Sequence, residues 1–165
     1  MTGPLAVTDL PGARAVIDWF GRFPRFHDAE LLEIVLAAGT SRLHIHAWNM
    51  TDRVDANGYF ILEKHAVVTI SLQEISFIDL KNPQWPTALP SIIADLEITK
   101  TPSGYAVDWG TAYGIDGSLH AKKISFAIEP GRRSLVDLLA SMPNVGEDAD
   151  FERVQCTRPA GDVFD

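Results

Sequence analysis

Apolar and polar side chains alternate with a period of two over most of this chain. That period sets neighbouring side chains on opposite faces of an extended strand, so it predicts strands rather than helices. In residues 30–36, Leu32, Ile34 and Leu36 fall on one face and Leu31, Glu33 and Val35 on the other. In residues 42–48, Leu43, Ile45 and Ala47 alternate with His44, His46 and Trp48. A long strand region follows over residues 59–80, with Ala66, Val68, Ile70 and Leu72 in phase and then a switch to Ile75 and Phe77. One added residue at Gln73–Glu74, a β-bulge, accounts for the switch. Residues 92–99 (Ile92, Ala94, Leu96 and Ile98 in phase), 105–109 (Tyr105, Val107, Trp109) and 119–128 complete the pattern.

The punctuation agrees. Thr101-Pro102-Ser103-Gly104 and Asp116-Gly117 are hairpin signals, Thr51 to Gly58 reads as a polar loop, and the three prolines between Asn82 and Pro90 exclude a central strand. Helical spacing occurs twice: Ala13, Val16, Ile17 and Phe20 near the start, and Leu135, Val136, Leu138 and Leu139 near the end. The expected fold is mainly β, an antiparallel sheet or sandwich of about seven strands with a short N-terminal and a short C-terminal helix. Residues 1–133 form the β domain with its N-terminal helix. Residues 134–165 form a short helix and an acidic, partly ordered tail.

Charge narrows the function classes. Fourteen Lys and Arg face twenty-two Asp and Glu, for a net charge of −8, and residues 134–165 hold seven of the acids with only two bases. A nucleic-acid binder needs a basic face to displace phosphate counterions, and no Lys/Arg stripe exists, so direct nucleic-acid binding is not expected. The longest apolar runs are about five residues, far short of a membrane span. The start of the chain lacks the basic-then-apolar pattern of a secretory signal, which points to the cytoplasm. A single cysteine, Cys156, excludes a disulfide framework and a multi-cysteine zinc site.

Candidate chemistry is sparse. Phe26-His27-Asp28-Ala29-Glu30 leads into the first strand, and a structural corner is the favoured account, with His27 or Asp28 bonding free backbone amides. Neighbours on an extended strand project to opposite faces, so His27 and Asp28 should not share a ligand. His44 and His46, two apart on a strand, project to one face beside Trp48. Such a pair suits a metal once His65 or His120 adds a third ligand, but no spacing demands it, and no metal or other cofactor is expected. The segment Asp52 to Gly58 resembles a calcium loop only superficially, because Arg53 and Lys64 fall on the first and last ligand positions. There is no nucleophile elbow and no glycine loop opening a helix. Catalysis is therefore not expected.

The stretch Trp19-Phe20-Gly21-Arg22-Phe23-Pro24-Arg25-Phe26-His27-Asp28-Ala29-Glu30-Leu31 resembles the immunity protein 50 family of bacterial polymorphic-toxin systems: an aromatic-proline approach, then Phe-His-Asp-Ala-Glu running into an apolar strand. The likeness could cover roughly residues 16–130, and the acidic tail extends beyond it. It implies a small cytoplasmic protein that binds and neutralises a cognate toxin by occlusion, with no catalytic residues. The partner-binding candidates are then Asp52 and Asp55, together with the face carrying His44, His46 and Trp48. Two other readings stand beside it: a small metal- or ligand-binding β domain using His44 and His46, and a homo-oligomerising domain without a ligand.

Overall fold

A computed structural model of the chain describes residues 7–81 and 89–131. By its contacts the chain divides into Met1–Arg132 and Arg133–Asp165, and the described residues all belong to the first. The expected C-terminal helix, the acidic tail, Cys156 and most of the proline-rich crossing lie outside the described residues.

A single 3-10 turn (Val7–Asp9) precedes helix α1 (Ala13–Phe20). Six strands follow: β1 (Glu30–Val35), β2 (Thr40–Val54), β3 (Phe60–Lys81), β4 (Ser91–Thr101), β5 (Gly104–Tyr113) and β6 (Asp116–Pro130). All neighbours are antiparallel, and the order β1-β2-β3-β6-β5-β4 closes into a barrel. The mainly β, antiparallel expectation holds. The count is six rather than about seven because the 22 residues of β3 run as one strand through the change of phase. Closure rests on a short seam, Glu30↔Ile92 and Leu31↔Ser91, between β1 and β4.

Inward-facing side chains fill the barrel. Ala66, Val68, Ile70 and Leu72 of β3 are fully buried, as the alternation predicts, and so are Leu43 and Ile45 of β2 and Val107 of β5. Each fully buried Leu, Ile or Val contributes about 1.5–3 kcal/mol. Ala13, Val16 and Phe20 of α1 join the same core. The segment before the helix also bonds to the sheet, the N–H of Phe126 donating to the carbonyl of Pro11 at 2.8 Å.

Three phase readings change. In β1 the register slips between Leu31 and Glu33, so the core takes Leu31 and then Ile34 instead of one unbroken face. In β4 two slips flank Ile93, which is fully buried where Ile92 and Ala94 were expected. The predicted bulge at Gln73–Glu74 proves to be a shared bend. Glu74 sits at φ 56, and β6 changes phase opposite it, from Phe126 and Ile124 inward to Ala121 and Leu119 inward. Both strands turn together, so the ladder passes unbroken from Gln73↔Lys123 to Ile75↔Ala121, and the register slip falls later, between Ile75 and Phe77. Ile75 packs on the core but Phe77 is exposed.

Candidate functional site

The corner before β1 is built from backbone. Asp28 N donates to the carbonyl of Ile93 and Ile93 N to that of Ala29, each at 2.9 Å, while Ala29 N donates to Phe26 O at 3.1 Å. Phe26 and Asp28 adopt left-handed conformations, φ 56 and 63. Phe26 is buried, edge-on to Phe23 at 5.8 Å between ring centroids, and Phe23 packs likewise on Phe126 at 5.2 Å. The expectation that the His27 or Asp28 side chain bonds free backbone amides here is replaced by backbone-to-backbone bonds. His27 Nδ1 and Asp28 Oδ2 meet each other at 2.9 Å, both exposed. The opposite-face expectation fails here because a left-handed residue is not extended strand.

His44, His46 and Trp48 do share the outer face of β2, opposite the buried Leu43, Ile45 and Ala47. The two histidines nevertheless face different partners. His44 Nδ1 lies 3.1 Å from the Thr69 hydroxyl, and its Nε2 lies 3.9 Å from Glu33. His46 is buried within a chain of three groups: Nδ1 lies 2.9 Å from Glu30 Oε2 and Nε2 lies 3.1 Å from His65 Nδ1. The carboxylate accepts, so His46 Nδ1–H donates to it, while the single proton between His46 Nε2 and His65 Nδ1 belongs to either ring according to tautomer. Both ring nitrogens of His46 are thus engaged, and the chain runs in line rather than converging on a point. Among the described residues no group of three His, Cys, Asp or Glu is arranged to hold a metal ion. His120 lies elsewhere, its ring 4.8 Å from Phe77. Trp48 completes the outer cluster, 5.1 Å from the His46 ring and 5.8 Å from that of His65.

Beyond these groups β2 and β3 leave the barrel together. β2 pairs with β1 only as far as His46, and β3 pairs with β6 only from Ala66 onward. The remaining hairpin, Asn49↔Glu63 out to Val54↔Phe60, forms a two-stranded arm roughly 20 Å long at the usual rise per residue. Its root is bent where the register slips between Ala47 and Asn49. Lys64 sits there at φ 54, and its carbonyl accepts the Trp19 indole N–H at 2.9 Å. The first half of the polar loop expected at 51–58, residues 51–54, is thus strand. Its tip turns on Asp55, whose Oδ1 accepts the backbone N–H groups of Asn57 at 2.8 Å and Tyr59 at 3.0 Å. Of the two acids proposed as partner contacts, Asp52 is exposed on the arm and Asp55 builds its turn. The arm also exposes Met50, Val54, Tyr59, Phe60 and Leu62, with Tyr59 at 72% and Phe60 and Met50 each at 56% exposure.

A groove of about 580 Å³ runs beside the root of the arm. Residues 47–51 of β2 form one wall, and the bend after α1, residues 20–22 and 24–27, with Ala29 forms the other. Trp48 and Met50 lie along it, and Arg22 and Arg25 rim it. Asn49 Nδ2 donates to Phe20 O at 3.0 Å, fixing the spacing of the walls. The sequence reading missed the two arginines, the apolar arm and the pairing of His46 with Glu30 and His65. The arginines left one signal, two like charges flanking Phe23-Pro24. The pairings left none, being 16 and 19 residues apart along the chain.

No protein-family model, curated protein or solved structure matches this chain.

Proposed function

We propose that this chain is a non-enzymatic binding protein that neutralises a cognate toxin in the cytoplasm by occluding it, in the manner of an immunity protein. One observation supports this above the others: the β2–β3 arm holds five large apolar side chains in solvent on a hairpin that pairs with no third strand among the described residues. Leaving large apolar side chains in water is unfavourable for an isolated chain, and exposed apolar surface of this kind marks an interaction site. Aromatic residues ringed by polar ones carry most of the affinity in such interfaces, which singles out Tyr59 and Phe60. Asp52, exposed beside them, steers a basic partner without adding much to affinity. His44 and His46 are held by separate partners and support the fold of the outer face rather than a shared ligand.

The test is growth rescue. The product of the gene immediately upstream is induced alone and together with this chain. The chain is expected to relieve growth arrest, with a one-to-one complex on purification. Tyr59→Ser with Phe60→Ser should weaken that complex by about 2 kcal/mol or more, roughly thirtyfold in Kd. An upstream product that arrests nothing, or an arrest the chain does not relieve, overturns the proposal.

A further inference from the structure

The corner before β1 leaves a strand position empty. The β1–β2 ladder runs from Val35↔Arg42 to Glu30↔His46, and its continuation would set Ala29 beside Ala47 and Asp28 beside Trp48. The chain does not continue there. The left-handed turns at Phe26 and Asp28 swing it across to β4, where residues 28 and 29 exchange hydrogen bonds with Ile93. β2 meanwhile runs on to Val54, paired on its other side with β3. Among the described residues no strand covers the side of residues 47–51 that faces the corner. That uncovered edge is a wall of the 580 Å³ groove.

The groove carries a charge opposite to that of the molecule. Arg22 and Arg25 are exposed at its rim, and neither makes an ion pair among the described residues. The one carboxylate among the groove's lining residues, Glu63, is already matched by Arg53, and the His27 ring sits against Asp28. The net charge of −8 repels acids at long range, but screening confines that repulsion to about 8 Å at physiological salt. Contact with the two guanidinium groups therefore decides what settles in the groove.

We infer that this groove takes an extended acidic segment of a partner protein, added as a strand to the free edge of β2. Edge backbone groups along residues 47–51 supply ladder hydrogen bonds to four or five residues, a span of roughly 17 Å. Carboxylates on the segment meet Arg22 and Arg25 in the forked geometry that guanidinium favours. Trp48 and Met50 receive its apolar side chains. The inference rests on the proposed role as a binding protein, and a failed peptide titration leaves the growth-rescue result standing, so the two fail separately.

The experiment uses the full chain and a fluorescein-labelled peptide of roughly eight residues alternating Glu and Val, against a Lys–Val counterpart. Anisotropy is read at about 50 mM and about 300 mM salt, with backbone amide exchange measured in parallel. The Glu–Val peptide is expected to bind, more weakly at high salt, and to slow exchange within residues 47–51. Arg22→Glu with Arg25→Glu should weaken it by about tenfold or more while leaving the melting temperature unchanged, since both side chains are exposed. Equal binding of the two peptides, binding without protection at residues 47–51, binding indifferent to the double substitution, or none up to about 1 mM each overturns the inference.

Discussion

Two glycines flank α1 in nearly the same backbone state but in opposite surroundings, and replacing each with alanine separates two costs. Gly12 has φ +81 and Gly21 φ +83. A left-handed alanine costs about 1–2 kcal/mol at either position. At Gly21 a Cβ meets nothing within 4 Å, so Gly21→Ala should cost only that strain. At Gly12 a Cβ would stand 1.8 Å from the backbone oxygen of Phe126, where real contacts do not fall below 3.0 Å. The helix approach must therefore shift by more than an ångström against a strand backbone that cannot give way. The 2.8 Å bond from Phe126 N to Pro11 O is lost with that shift, at a further cost of about 1 kcal/mol. Loosened packing of Ala13, Val16 and Phe20 adds to it, so Gly12→Ala should cost about 3–4 kcal/mol in all. Urea unfolding reads this directly. With a slope of about 2 kcal/mol/M, the midpoint should fall by roughly 1.5–2 M for Gly12→Ala and by about 0.5–1 M for Gly21→Ala, the slope being unchanged in both. Equal shifts for the two variants would refute the argument, because they would mean that the contact with Phe126 relaxes at no cost.

Two further outcomes are expected. Glu30→Ala leaves the buried Nδ1–H of His46 without its acceptor and should destabilise by about 1–3 kcal/mol, whereas Glu33→Ala, which removes only a 3.9 Å contact with His44, should stay within about 0.5 kcal/mol; equal costs in urea unfolding would argue against the chain of three groups. Hydrogen bonds from Lys122 and Lys123, together with their charges, hold the Glu74 carboxyl below its ordinary value of 4.5. Lowering a carboxyl in the folded state adds stability that is present above the ordinary value and lost as the pH falls through the folded one. Melting temperature followed from about pH 6 to about pH 3 should therefore fall less steeply for Glu74→Gln than for the parent, and high salt should remove the difference because the pair is exposed. Parallel curves would show that the pair does not support the fold.

The alternation along the chain was enough to find β3 and β5 with most of their buried faces, and helical spacing to find the helix ahead of the sheet. Each of these depends on neighbours in sequence, so each leaves a local signature. The slips in β1 and β4 left none, because an apolar side chain is equally apolar on either side of a bulge. The partner strand alone fixes which of Ile92 and Ile93 turns inward. The arm was hidden for a related reason. Met50, Tyr59 and Phe60 have the composition of a core, and only the early end of the β1 and β6 ladders leaves them in water.

By itself, the sequence determined the layer of antiparallel strands, since a period of two marks extended strands and the short turns between them leave no helical crossover for a parallel sheet. Tertiary structure decided that the sheet closes on itself, that Glu30, His46 and His65 join in a line, and that residues 47–51 keep an uncovered edge. Left-handed turns at Phe26, Asp28 and Lys64 accompany those outcomes; Phe and Lys have no intrinsic preference for that conformation and hold it because the surrounding strands fix the path of the chain.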